Sequence, residues 1–548
     1  MNLFFRTLRS FTRKEKVLSL FMLTVFVLST LSILFWTDAQ FGSTQKSYSE
    51  GLVGEITHLN PVFTEFSEAD TDISSLIFSG LVRYNALTGT FDEDIATHTL
   101  SEDQLTYTFT LRNNVFWHDG EEVTADDIFF TYATVIQSPE FDNPILKSNF
   151  EGVKIEQVNT RTVSFTLSSP NSFFFTSLAV GLLPEHLLGE VPVAELDTHD
   201  FNQLPVGTGP YQVLSPYEIN GDGSTSVSLE IFPQYYGNLP QIEKLRFVAY
   251  PSAQELVNNR SVWNGAARIR QSLLDEMNLN NLVTYQYELP QYTALFFNTD
   301  APFLSKNKER LGISKAIDKE EILEAINYRV RIDTPLLELN QEEWLFAADT
   351  NEAQGALFDA GWKLEEGATV RSNEEGESFS LRLLRRDFGV ENALQEEVGQ
   401  LTADLIVEQL GAIGVEVTVE SYPLEVLEEK IKTRDYDILL YGQSLGYNQD
   451  TFAYWHSSQV SETGLNLSNY INPEADFLIE SIRGSFDEEK KQELLQDLAE
   501  TIAADVPAVF LYTPSYYYLV DTKVTGVEFD KLLLPKDRFS TIHLWTLN

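Results

Sequence analysis

The stretch from Leu105 to Tyr132, L-T-Y-T-F-T-L-R-N-N-V-F-W-H-D-G-E-E-V-T-A-D-D-I-F-F-T-Y, dictates three structural events in a row. Leu105, Tyr107, Phe109 and Leu111 alternate with Thr106, Thr108, Thr110 and Arg112. That period of two describes a strand with one face buried and the other wet. Val115, Phe116 and Trp117 then run into Asp119-Gly120, a dipeptide that reverses the chain. Thr124 and Asp127 follow with the spacing of an N-cap and an acidic third helical position, which starts a helix near Ala125.

The N-terminus sets the compartment. Arg6, Arg9, Arg13, Lys14 and Lys16 precede an uncharged apolar run from Val17 to Trp36. As a helix rising about 1.5 Å per residue, that run covers roughly the 30 Å hydrocarbon core of a bilayer. The basic flank stays cytoplasmic, which places Asp38 onward outside the cell. The rival reading is a cleaved signal peptide with Thr37-Asp38-Ala39 as its processing site; the length of the run and the charge of Asp38 favour an uncleaved anchor. The expected location is therefore the cell membrane, single-pass, with the bulk of the chain extracytoplasmic, either periplasmic or on the cell surface. The chain has no cysteine, so disulfides, thiolate metal sites and cysteine nucleophiles are excluded.

Charge is lopsided. The whole chain holds 38 Lys+Arg against 82 Asp+Glu; without residues 1–16 (five basic, one acidic) the balance is 33 against 81. Such a surface repels nucleic acid and anionic lipid. Attraction of cationic solutes and a merely solvated acidic surface both remain open, because surface fields are screened within about 10 Å at physiological salt.

Further along, Tyr48 to Asn60 reads as an opening strand and Thr71 to Leu81 as a helix. Val163, Phe165 and Leu167 alternate as another strand. From Leu381 to Tyr441, strands alternate with a helix over Leu401 to Leu410, the pattern of a mixed α/β unit. Asp487 to Ala504 is an amphipathic helix, with Leu494, Leu495, Leu498 and Ile502 on one side, and Val506 to Tyr512 a buried strand.

Chemistry-bearing motifs are sparse. The seven histidines (His58, His98, His118, His186, His199, His456, His543) are dispersed, with no H-E-x-x-H, and no G-x-x-x-x-G-K-S/T occurs. No cofactor or metal is expected, and the usual loop for cradling nucleotide phosphates is absent. Gly442-Gln443-Ser444-Leu445-Gly446 matches G-x-S-x-G after an apolar strand, and Asp450, Asp476 or Asp505 with His543 would complete a serine-hydrolase order. No oxyanion strand accompanies it, so the hydrolase is the alternative reading.

The 105–132 passage also spells F-x-L-R-x-x-V-x-W-H-D-G-E-x-x-T-A-D-D. That string resembles the extracytoplasmic solute-binding proteins of family 5, which feed ABC importers with peptides, nickel complexes and related cargo. Gly80-Leu81-Val82-Arg83-Tyr84, Gly207-Thr208-Gly209-Pro210-Tyr211, Ala316-Ile317-Asp318-Lys319-Glu320-Glu321 and Val524-Thr525-Gly526-Val527 match other stretches of the family. The resemblance implies an α/β, two-lobed periplasmic-binding-protein-like (type II) fold with an additional subdomain, here preceded by one N-terminal transmembrane helix. The implied division is a cytoplasmic basic segment (1–16), an anchor (17–36), a linker (37–47), lobe I (48–80, 206–292 and 506–548), a subdomain appended to lobe I (81–205) and lobe II (293–505). The implied partners are a peptide or other small solute and the ABC permease and ATPase subunits, with the membrane reached through the N-terminal helix and no nucleic acid involved. The implied activity is capture without chemistry; an anchored sensor or scaffold that keeps the fold is a further alternative.

In peptide binders of this family a G-W-x-A-D-Y-N-x-P loop lines the cleft and its aspartate pairs with the ligand's α-amino group. Tyr441 to Asp450 occupies that register here, with Tyr447-Asn448 in agreement and Gly446 where the aspartate is expected. Asp450 as a substitute and a cargo without a free amine are the two ways to read that departure. The resemblance thus implies ligand contacts from Tyr441, Gln443, Gly446, Tyr447, Asn448 and Trp455 on one side and from Thr71 and Asp72 on the other. Ordinary lobe packing is the competing role for Tyr447 and Trp455, and a solvated helix start for Thr71 and Asp72.

Overall fold

The computed structural model describes residues 47–548, apart from 65–66, 275–276, 340, 342–346, 390–392 and 463. The expected anchor (17–36) and basic segment (1–16) lie outside the described residues. Among the described residues, no helix is long and apolar enough to cross a membrane.

The leading sequence passage folds as its pattern dictates. Thr106–Leu111 is a strand that buries Tyr107, Phe109 and Leu111. Gly120 takes a positive φ of 96° in the reversal. Ala125–Phe129 is a helix, with Thr124 and Asp127 forming a reciprocal capping box. This strand sits inside a four-stranded antiparallel sheet with Ala96–Leu100, Thr162–Thr166 and Lys154–Asn159.

Two larger sheets carry the rest. The first is eight-stranded. Its main path runs Leu282–Glu288, Ser515–Asp521, Gly265–Ile269, Ser47–Val53, Lys244–Tyr250, Thr225–Ile231 and Tyr211–Val213, with Glu218–Ile219 beside Thr225–Ile231. The second is six-stranded, in the order Val330–Arg331, Ala508–Thr513, Gln291–Phe297, Ile438–Ser444, Ser380–Arg386 and Glu416–Tyr422. Ser380–Arg386 is parallel to both of its neighbours, and the long helix Ala393–Ala412 forms the crossover to Glu416–Tyr422. Residues 506–548 therefore divide between the sheets: Ala508–Thr513 pairs in the second and Ser515–Asp521 in the first. The opening strand stops at Val53, short of Asn60, and the first helix runs Glu68–Ile77, earlier than its apolar pattern implies. Ser67 caps it by accepting from the Asp70 N–H, and the Asp70 carboxylate turns back onto the N–H groups of Thr57 and His58.

The chain crosses between the two large sheets twice, side by side. Leu282–Glu288 leads into Gln291–Phe297, and Ala508–Thr513 leads into Ser515–Asp521. Pro290 stands at the first crossing and Pro514 at the second. Proline has no N–H to give a ladder, so each strand is interrupted where it changes sheets.

The dispersed segments of the first large sheet are bound by a buried ion network. Arg538, fully buried, donates to Glu50 at 2.9 Å and to Asp72 at 2.7 Å. Arg268 pairs with both carboxylate oxygens of Asp72 at 3.0 Å. The Tyr48 hydroxyl donates to Glu50, and the Tyr518 hydroxyl also donates to it at 3.2 Å. Burial alone would raise the Asp72 carboxyl, but the two guanidiniums outweigh it and hold the group below its ordinary range. For Glu50 desolvation wins over Arg538, and its carboxyl is raised. Breaking one partner of such a pair costs about 3–5 kcal/mol, because the other charge stays buried.

Candidate functional site

A cavity of about 1530 Å³ opens where the four-stranded unit, the first large sheet and the second large sheet meet. One side is built from the 61–94 region and the segments 143–181 and 235–240; the other is the loop that leaves the second sheet after Ser444, with the 534–544 turn closing one end. The loop is set by its first residue: Leu445 N–H donates to the Pro290 carbonyl at 2.8 Å, tying it to the first crossing.

Four of the eight sequence-derived candidates line this cavity: Thr71, Gly446, Tyr447 and Asn448. Tyr447 donates its hydroxyl to Asp537 at 2.5 Å and packs edge-on against Phe91, with ring centroids 5.2 Å apart. Asn448 donates across the cavity to the Asn149 side chain at 3.2 Å. Gly446 has a φ of 55°, and an added Cβ would meet only Leu534, at 3.7 Å. The Thr71 hydroxyl is engaged with the Thr64 carbonyl at 2.8 Å.

The other four face elsewhere, for reasons the strand geometry supplies. Asp72 is fully buried in the ion network, one helical position on from Thr71 and so turned off the cavity. Tyr441 and Gln443 belong to the strand Ile438–Ser444, before the chain leaves the sheet; Gln443 sits opposite Tyr292 and accepts its hydroxyl hydrogen. Tyr441 packs against the second sheet's apolar cluster. Trp455 is 2 % exposed in that cluster, 5.7 Å from the Phe510 ring. Its ring packs there and is not part of the cavity lining.

Residues that the sequence reading missed supply much of the lining. Asp94 accepts from the Tyr236 hydroxyl at 2.5 Å and lies 4.0 Å from Arg83, while burial raises its carboxyl. Asp450, which the sequence offered as a substitute for the missing aspartate, also lines the cavity but pairs with Arg483 at 2.9 Å; its desolvation exceeds the attraction, and its carboxyl is raised too. Lys536 and Asp537 come from a Pro-Lys-Asp-Arg run that starts a helical segment (Pro535–Leu544) packed inward. Asp537 also accepts from the backbone N–H groups of Leu533 and Leu534, and desolvation pushes its carboxyl up to about 6. For Asp94, Lys536 and Asp537 the local sequence carries no motif that marks them as lining.

Ser444 and His543 line the same cavity. The strand ending at Ser444 is followed by a loop, and the next helix begins only at Phe452, so the strand-to-helix elbow of a hydrolase nucleophile is absent at this position. Of the candidate acids, Asp505 accepts from Tyr470 and Asn472 and Asp476 from the Ser457 N–H, while Asp450 is paired with Arg483. None of these bonds orients an imidazole toward Ser444. Among the described residues, no group of three or more His, Asp or Glu has the arrangement of a metal site.

Comparison with known proteins accounts for this architecture. The oligopeptide-binding protein AppA of Bacillus subtilis is 25% identical over 534 residues, covering 91% of each chain. The dipeptide-binding protein of Escherichia coli is 25% identical over 475 residues, 79% of this chain and 82% of that one. The structure of Bacillus subtilis AppA in complex with a nonapeptide superposes with a TM-score of 0.69, at 25% identity, over 92% of this chain and 99% of that one. NikZ from Campylobacter jejuni in complex with Ni(L-His) shares the fold, with a TM-score of 0.72 at 24% identity over 92% and 99% of the two chains. The fold is therefore the α/β periplasmic-binding-protein-like one. A family profile described as "Bacterial extracellular solute-binding proteins, family 5 Middle" matches residues 90–464. The chain belongs to the bacterial extracellular solute-binding proteins of family 5.

Proposed function

We propose that this protein captures a peptide in the cavity between its two large sheets and delivers it unchanged to the permease of an ABC importer. In this reading the helix of residues 17–36 holds it to the membrane. The single observation that carries the reading is the cavity of about 1530 Å³, which is lined from both sides of the paired crossings. An extended peptide has backbone donors and acceptors that need partners once water is excluded, and the lining mixes polar side chains with aromatic ones. The relatives that bind an oligopeptide and a dipeptide support peptide as the cargo class. Crossings interrupted by Pro290 and Pro514 suit a hinge, and a ligand shifts its open–closed balance only as far as it prefers the closed form.

Tyr447 and Asn448 are the contacts to test, since both line the cavity and both bond across it. Native mass spectrometry of the gently purified protein is expected to show a retained small peptide. The Tyr447→Ala, Asn448→Ala double variant should weaken its rebinding by about tenfold or more, the equivalent of one or two lost hydrogen bonds. Unchanged affinity in a folded double variant removes these two residues from the site, and chemical alteration of the bound molecule removes the capture reading itself.

A further inference from the structure

Four cationic side chains among the described residues line the cavity: Arg83, Arg112, Arg483 and Lys536. Three have a carboxylate partner, Arg83 with Asp94 at 4.0 Å, Arg112 with Glu93 at 3.8 Å and Arg483 with Asp450 at 2.9 Å. Lys536 has no ion-pair partner among the described residues. Its ammonium stands over the face of Tyr447, 5.1 Å from the ring centre. The neighbouring Asp537 attracts it without pairing to it, with one oxygen taken by the Tyr447 hydroxyl and the other by two backbone N–H groups. The lining carboxylates are committed in the same way: Glu93, Asp94, Asp450 and Asp537 each hold partners, and only Glu151, out in solvent, does not. Gly446, which precedes Tyr447 in the loop, leaves side-chain space open, with Leu534 the nearest neighbour to an added Cβ.

We infer that Lys536 is the anchor for a carboxylate of the bound solute, so that the cleft selects an anionic group where its own acids leave no site for a cation. The assignment rests on this cavity being the solute site. A half-buried ammonium gains most from an anion that arrives with the solute, because closure removes the water that screens it in the open form. The Tyr447 ring beneath it holds the ammonium without neutralising it. Within a peptide, the carboxylate comes either from the C-terminus or from an acidic side chain; the chemistry at Lys536 is the same.

The test uses the full chain and alanine oligopeptides in matched pairs, with a free C-terminal carboxylate or its amide, each with and without one internal glutamate. Binding is read by calorimetry on wild type, Lys536→Met and Lys536→Arg. Wild type should prefer the carboxylate-bearing member by about tenfold to a hundredfold, the value of a charge-assisted hydrogen bond. Lys536→Met should abolish the preference and Lys536→Arg restore most of it. Preference for the free C-terminus alone, or for the glutamate alone, identifies the source. Equal binding of acid and amide by wild type overturns the anchor while leaving the peptide reading intact. Succinate and its diamide separate the remaining cases: if no peptide binds but succinate binds through Lys536, the anchor stands and the peptide cargo falls. If wild type binds neither peptides nor succinate, the anchor is overturned.

Discussion

At the scale of single residues, the informative groups are charged side chains that the fold has taken out of water. Asp537 shows what this does to pH dependence. Its carboxyl sits at about 6 in the folded chain because it is desolvated, against roughly 3.9 for an unfolded aspartate. The native state therefore binds this proton more tightly than the unfolded state does. Its contribution is greatest below the unfolded value and is lost as pH rises from about 4 through about 6, an effect on the order of 3 kcal/mol. Urea titrations of wild type and Asp537→Asn across that range should show the variant lacking this slope, with the largest gain relative to wild type near neutral pH. Parallel pH profiles for the two proteins would mean that the acid titrates like one in water. The same scale shows where sequence reading reaches its limit. Thr71 and Asp72 are adjacent in the sequence, yet one lines the cavity and the other is fully buried between Arg268 and Arg538. Motif register finds the helix turn, but which side of it faces the cleft depends on partners 196 and 466 residues away.

At the scale of elements, local pattern was highly legible. The alternating strand, the Asp119-Gly120 turn, the capping box at Thr124 and the amphipathic helix after Asp487 all appear where periodicity and capping chemistry put them. Hidden were the long-range pairings: that Ala508–Thr513 joins one sheet and Ser515–Asp521 the other is decided by strands more than two hundred residues earlier. The G-T-G-P-Y segment lies between these cases. Its glycines and proline permit a sharp turn, and the structure adds why only glycine fits at its start. A Cβ on Gly207 would stand 2.0 Å from the Ile77 carbonyl oxygen, and the His118 imidazole accepts from the Gly207 N–H at 3.2 Å on the other side. Burial drives that imidazole down to about 4, so it is neutral and free to accept. Gly207→Ala should cost about 3 kcal/mol through forced separation of the turn from the helix end. Gly221→Ala, with no atom within 4 Å of the new methyl, should stay within about 0.5 kcal/mol of wild type. Denaturant midpoints that move equally for the two variants would remove the close-approach explanation.

At the scale of the whole molecule, the question is what holds the two sides of the cavity together. Besides the paired crossings and the packing of Tyr447 on Phe91, a second apolar contact bridges them directly. Phe173 follows the four-stranded unit in sequence, yet it is 6 % exposed and buried in the apolar cluster of the second sheet, with Leu494, Leu495 and Leu498 of the helix Glu488–Asp505. Lys491 stands 4.0 Å over its ring, and the neighbouring Ser172 N–H donates to the Arg483 carbonyl at 2.7 Å. Swinging the sides apart about Pro290 and Pro514 has to withdraw this ring into water, at a cost of about 2 kcal/mol. The contact therefore biases the empty protein toward the closed form, and a population ratio shifts roughly thirtyfold for that energy. Phe173→Ala should open the unliganded protein, raising its radius of gyration in solution scattering, and should weaken solute affinity by up to the same factor. Saturating solute should restore the compact profile, because bound ligand supplies the closure that the ring no longer does. If the variant scatters like wild type when empty and binds as tightly, then the ring is ordinary packing and does not set the balance.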